Sequence, residues 1–449
     1  MRANQLLAST SPMTHSLSEG SGHPGLRIVA FAPACSPLRG SEAGAGWLWS
    51  RLVARLGDAW IITRPRNRVA IEAALPDLPE RDRLHFVYVE VRKWPKSWRT
   101  GKGRSSIDYL LWQPVAMREA RRLHQDLHFD LAWHLTFANA WLGSLGGRAG
   151  PPFVYGPVGG GVGNPWRLLP GHGLRGSGYE LVRAGGRTLG RYVNPLSRIA
   201  WSNARVILVQ NPETRAWLPA RHRSRAWVCP NPILDERFPF EGGTLEERVA
   251  AEPGSSGPIA LYAGRLVAWK GMFLALRALA RLPEWRLVVC GKGPDAKRLQ
   301  RLARKLGVQD RVEFHGFIPR ADLMRLMRED ADVLLFPSLH DEAGWVVAEA
   351  EACRLPVVCV NRGGPPVLGG RGVELTSIAG TADALARAID QARRDGRPTG
   401  AEGGRRWSLP ARAAELAGIL SEAGLSEAGG PLSVLRAPPP PDEEPDEGE

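Results

Sequence analysis

The sequence predicts an α/β protein made of two Rossmann-like, doubly wound domains facing a cleft. Three observations carry that expectation. Short apolar runs alternate with helical patterns along the chain, the mark of parallel strands covered by helices. The alternation breaks between residues 242 and 258, where Gly, Glu and Ser replace any periodicity, and then begins again. A length of 449 residues suffices for two cores of ordinary size.

In the first half the strand pattern falls on 27–31, 60–62, 84–89, 131–133, 153–155 and 206–209, with helical patterns at 44–56, 109–127 and 194–203. After the break it falls on 259–262, 286–290, 312–314, 333–336 and 356–360. The helical patterns there cover 272–281, 295–306, 321–329, 345–353 and 382–393. The expected organisation is a disordered leader over 1–24, an acceptor-side domain over 25–230 and a second, ligand-binding domain over 231–408. A helix over 409–428 crosses back to the first domain, and a Pro-rich acidic tail fills 429–449.

The five cysteines form no CxxC pair and sit mostly in apolar runs, which predicts reduced, buried thiols and no zinc site. No run reaches the roughly 18–20 apolar residues of a membrane span. The net charge of +13 is uneven: residues 26–230 hold 30 Lys and Arg against 13 Asp and Glu. A basic first half suits an anionic partner such as a pyrophosphate-bearing substrate or anionic lipid. No nucleic-acid-binding module is visible, so nucleic acid is not an expected partner. Residues 92–104 interleave Arg92, Lys93, Lys96, Arg99, Lys102 and Arg104 with Trp94 and Trp98. That mixture suits the headgroup zone of an anionic membrane, and a solvated basic loop is the alternative.

The chemistry concentrates in loops that leave strand ends. Gly264-Arg265-Leu266-Val267-Ala268-Trp269-Lys270-Gly271 places a guanidinium fork and an ammonium after the second domain's first strand, a sensible pair for a diphosphate. His340-Asp341-Glu342-Ala343-Gly344-Trp345-Val346 runs from a buried strand into a helix with Glu349 on its second turn. Unpaired amides at such a helix start bind an anion, and a carboxylate further in reaches sugar hydroxyls. Gly291 ends the next strand, and the turn at Phe317 and Ile318 offers backbone groups to a base edge. In the first domain, Gly44 follows the first strand in a loop of small residues. His134 ends another strand, and Gly159, Gly160 and Gly161 form a glycine-rich loop suited to an acceptor or to a lid.

These segments resemble the retaining glycosyltransferases of family 4, which have the GT-B fold. The likeness runs from about residue 259 to 364 and is looser in the first domain. It implies that Arg265 and Lys270 hold the donor diphosphate and that Glu349 binds the ribose. Gly344, Trp345 and Val346 would meet sugar and phosphate, and His134 would sit near the transferred sugar. Where the family has a first glutamate, this chain has Asp341, with Glu342 adjacent. Arg354 stands where the family has a small residue.

The resemblance therefore implies transfer of a hexose-type sugar from a UDP- or GDP-linked donor to a glycan or lipid-linked acceptor. It implies no metal and no cofactor beyond the nucleotide sugar. The expected location is cytoplasmic, with peripheral contact at the inner membrane face. A sugar-nucleotide epimerase, or a non-catalytic nucleotide-sugar-binding protein, is the alternative.

Overall fold

The computed structural model describes residues 25–91, 104–137, 139–236, 238, 257–398 and 405–425. The first domain holds β1 (Leu26–Phe31), β2 (Gly57–Thr63), β3 (Leu84–Tyr88), β4 (Leu131–His134), β5 (Phe153–Val158), β6 (Ala204–Val209) and β7 (Ala226–Val228). All pair in parallel, in the spatial order β3-β2-β1-β4-β5-β6-β7. The second sheet holds β8 (Ile259–Ala263), β9 (Arg286–Cys290), β10 (Val312–Gly316), β11 (Val333–Phe336), β12 (Val357–Val360) and β13 (Arg371–Val373), ordered β10-β9-β8-β11-β12-β13. In each sheet the strand order reverses once, between β1 and β4 and between β8 and β11. Helices on opposite faces part at such a reversal and leave a crevice outside the strand ends.

Strands covered on both faces run apolar through their length, and the central ones show it. All six residues of β5 and all four of β11 are buried. One face of the first sheet packs Trp47, Trp49, Leu52 and Trp133; the other packs Trp112, Tyr155 and Trp201. The large indoles reach polar partners as well. Trp133 donates to the Gly156 carbonyl at 2.8 Å, Trp112 to Val89 at 2.9 Å and Trp49 to Asn231 at 2.9 Å.

The helices that matter to the site are α1 (Ser41–Ala54), α2 (Gly173–Tyr192), α3 (Pro212–Trp217), α4 (Met272–Leu279), α5 (Arg320–Arg325), α6 (Trp345–Ala352) and α7 (Leu409–Glu422). Leu409, Ala413, Leu416, Ala417 and Leu420 of α7 pack into the first domain's core beside Ile28 and Leu52. Ser408 caps that helix, and buried Arg412 donates to the Cys229 sulfur at 3.1 Å.

α2 departs from the expected element list. Its six glycines each cost about 1 kcal/mol relative to Ala, which hides a helical pattern in the sequence. Contacts to the rest of the molecule hold it instead: Ser177 donates to the Leu169 carbonyl at 3.0 Å, and Arg187 to the Gly161 carbonyl at 2.8 Å. All five cysteines are buried and free. Among the described residues no helix is long and apolar enough to cross a membrane. The leader, the acidic tail, most of the 242–258 break and the basic segment at 92–103 lie outside the described residues.

Candidate functional site

The two crevices face each other across a cavity of about 750 Å³. Its first-domain wall is the loop after β1 and the start of α1, including Pro37, Arg39, Gly40, Gly44 and Trp47. Its second-domain wall comes from the ends of β8 and β11: Gly264, Lys270, Phe336, residues 340–346 and Glu349.

Lys270 ends a single 3-10 turn, Ala268–Lys270, and Gly271 closes that turn with a left-handed φ of +68°. The turn carries the ammonium to the Asp341 carboxylate, with which it is ion-paired, and to 4.9 Å from the centre of the Phe336 ring. Gly344 caps α6, also left-handed with φ +81°. Any larger residue there would be strained, and its Cβ would crowd Pro365 at 3.2 Å. The cap aims the first amides of α6 along the cavity wall. These amides have no carbonyl four residues upstream, and the helix dipole adds positive character to them. Trp345 locks the orientation by donating to the Asn231 side chain at 2.8 Å.

One turn into α6, Glu349 pairs with Arg320 at 2.9 Å. Burial pushes the Glu349 carboxyl above its ordinary range, and Arg320 pulls the other way. The cavity therefore holds two cation–carboxylate pairs, Lys270 with Asp341 and Arg320 with Glu349, and a helix start. This arrangement can neutralise a diphosphate and accept hydrogen bonds from neighbouring hydroxyls.

The expected site residues divide. Gly44, Gly264, Lys270, Asp341, Glu342, Gly344, Trp345, Val346 and Glu349 line the cavity. Arg265 is exposed and does not line it. Phe317 is 76% exposed, and Ile318 packs against the second core, so neither forms the wall. Gly291 has a packing role, because a Cβ there would lie 1.8 Å from the Gly264 carbonyl oxygen.

His134 needs the largest correction. It ends β4 but is buried between Tyr155 and Tyr109, in a separate small void with Trp112. Burial pushes its pKa down to about 4, so it is neutral near pH 7. A strand covered on both faces hides its last residue as readily as its middle ones.

Gly159, Gly160 and Gly161 are buried under the domain junction and do not line the cavity. A Cβ at Gly159 would lie 2.7 Å from the Glu342 side chain. Glu342 itself touches the cavity but is held by the first domain. Asn211 donates to its carbonyl at 2.8 Å and to its carboxylate at 3.1 Å, and Thr214 donates at 3.1 Å. Burial acts to raise the Glu342 carboxyl, while His340 and Arg183 outweigh it and hold the group below its ordinary range. Glu342 is thus a strap between the domains.

Arg320, Asn231 and Trp269 also line the cavity and were not among the expected residues. Arg320 lies two positions after Ile318, immediately past Pro319, as the first residue of α5. Asn231 belongs to the crossing segment, and only three-dimensional structure places it beside Trp345.

Residues 245–406 match the family model described as glycosyl transferases group 1. Among curated proteins, 2-deoxystreptamine glucosyltransferase of Streptomyces kanamyceticus is 31% identical over 184 residues, 39% of this chain and 47% of that protein. The GDP-mannose-dependent alpha-(1-6)-phosphatidylinositol monomannoside mannosyltransferase of Mycolicibacterium smegmatis is 28% identical over 399 residues, 80% of this chain and 96% of that protein. The chain spans about half, or about a third, of the first curated relatives it matches. Among solved structures, HepE of Anabaena in complex with UDP superposes with a TM-score of 0.55 at 18% identity, covering 88% of this chain and all of that one. The lipopolysaccharide outer core galactosyltransferase WaaB superposes with a TM-score of 0.57 at 14% identity, covering 88% and 99%. These likenesses are to two-domain proteins of the GT-B fold.

Proposed function

We propose that this chain, whose residues 245–406 match the group 1 glycosyl transferase model and whose fold is GT-B, transfers a hexose-type sugar with retention from a UDP- or GDP-linked donor to a glycan or lipid-linked acceptor. The observation that supports this most is the convergence of Lys270, the α6 start and Glu349 on one interdomain cavity. The names of its relatives add to it: one structure holds UDP, and one mannosyltransferase is GDP-mannose-dependent.

In this reading the bond from the sugar's anomeric carbon to the β-phosphate oxygen breaks, and negative charge grows on the leaving diphosphate. Lys270 and the amides of Gly344, Trp345 and Val346 balance that charge, which is the main source of rate. Glu349 accepts the ribose hydroxyls, and Arg320 keeps its carboxylate in place. Asp341 accepts a hydroxyl of the sugar and steadies Lys270. The acceptor oxygen bonds to the anomeric carbon on the face the phosphate leaves, and its proton passes to the leaving diphosphate. No step needs a metal or a further cofactor. Five buried, unpaired thiols suit a cytoplasmic setting.

A thermal-shift panel of UDP- and GDP-hexoses tests the reading, since a ligand of the folded state raises the melting point. A shift with one of them that is lost in Glu349→Ala supports it. No shift with any nucleotide sugar or nucleoside diphosphate overturns it.

A further inference from the structure

Helix α2 is amphipathic in the inverted sense. Residues three and four apart share a helix face. Its inner face carries charge: Glu180 is buried, Arg183 lies 3.4 Å from Glu342, and Arg187 donates to the Gly161 carbonyl. Its outer face carries the apolar residues. Leu174 is 96% exposed, Val182 78%, Leu189 61% and Leu181 54%, and Tyr192 and Val193 extend the same face. In a water-soluble helix packed on a protein the two faces are the other way round.

Exposed charge along this segment of the chain is of one sign. Arg167, Arg175 and Arg198 are exposed beside it, and Glu180, the only acid between Pro165 and Arg198, is buried on the far side. A second copy of the chain would meet this face with the same arginines, because a two-fold interface pairs a surface with itself. A partner surface that is apolar in depth and anionic at its rim satisfies both features.

We propose that the outer face of α2 docks on an anionic lipid bilayer, its leucines and valines entering the headgroup boundary while the arginines meet lipid phosphates. The same helix stacks Tyr179 on Trp269, a wall residue of the cavity, at 4.8 Å between ring centres. Docking there sets the cavity beside the bilayer. The surface is distinct from the basic 92–104 segment, and it stands whether or not the donor chemistry above is right.

The test is flotation of the full chain with vesicles of phosphatidylglycerol and phosphatidylcholine, without nucleotide. The wild type is expected to float with these vesicles and to remain unbound with phosphatidylcholine alone. The triple variant Leu181→Glu, Val182→Glu, Leu189→Glu replaces exposed residues, so its melting point should match wild type. Its vesicle affinity should fall by roughly a hundredfold or more. If the triple variant floats as wild type does, the proposal fails. It fails equally if only neutralising the 92–104 cations abolishes flotation. Sedimentation supplies the remaining arm: a wild-type dimer that the triple variant breaks, with no vesicle binding by either, assigns the face to a second copy and overturns the bilayer.

Discussion

Replacing Lys270 with Met removes one ammonium and keeps most of the stem that packs beside Phe336. Two unit charges about 4 Å apart, at an effective dielectric near 20, interact by about 4 kcal/mol. The Lys270 side chain keeps 20% of its surface exposed, so water screens part of this. About 3 kcal/mol should remain, a loss of roughly a hundredfold in affinity for a nucleoside diphosphate. The Asp341 carboxylate, left without its cation, adds repulsion in the same direction. Titration calorimetry with UDP and GDP reads this directly. The paired variant Asp341→Asn separates electrostatics from packing: it frees the ammonium, so diphosphate affinity should hold or rise while sugar transfer falls. If Lys270→Met binds whichever diphosphate the wild type binds with unchanged affinity, the ammonium does not face the ligand and Lys270 has no part in holding it.

Glu349→Gln weakens hydrogen bonds from hydroxyls to a charged acceptor, worth about 1.5–3 kcal/mol, and should raise the donor Kd by roughly ten- to a hundredfold with little change in melting point. Burial pushes the Glu351 carboxyl up to about 7, so between pH 4.5 and 7 the folded state holds more protons than the unfolded one, and stability falls as pH rises. Glu351→Gln should lack that slope, gaining on the order of 2 kcal/mol over wild type at pH 8 in chemical denaturation. His134 has the opposite sign: its depressed pKa makes the folded state lose stability as pH falls from 6.5 toward 4, and His134→Phe should not show that loss while keeping donor binding. Arg354 sits in the left-handed region with φ 55° at the end of α6, so Arg354→Gly should stabilise the second domain by about 1 kcal/mol, read as a higher melting point.

The doubly wound sheets were legible because parallel strands buried on both faces need continuous apolar runs, and a run as short as 333–336, bounded by Asp332 and Pro337, favours a strand over a buried helix. Lys270, Asp341, Gly344 and Glu349 were legible because a loop leaving a strand end and a helix start impose their chemistry locally. What depends on which side of a covered strand a residue lies on was not. His134 ends a strand and Gly159 follows one, as Gly264 does, yet neighbours from distant parts of the chain close over them. Spacing and the family resemblance both pair Arg265 with Lys270, and the 3-10 turn between them carries only Lys270 to the cavity wall. α2 was invisible because its glycines erase helix propensity, and its fold depends on Glu342, Trp269 and the Gly161 loop.

Crystals grown with UDP or GDP would locate the diphosphate itself. Density for the diphosphate is expected within hydrogen-bonding reach of Lys270 and the amides of Trp345 and Val346, with the ribose on Glu349. A nucleotide seated away from this interdomain wall, with Lys270 still closed on Asp341, would contradict it.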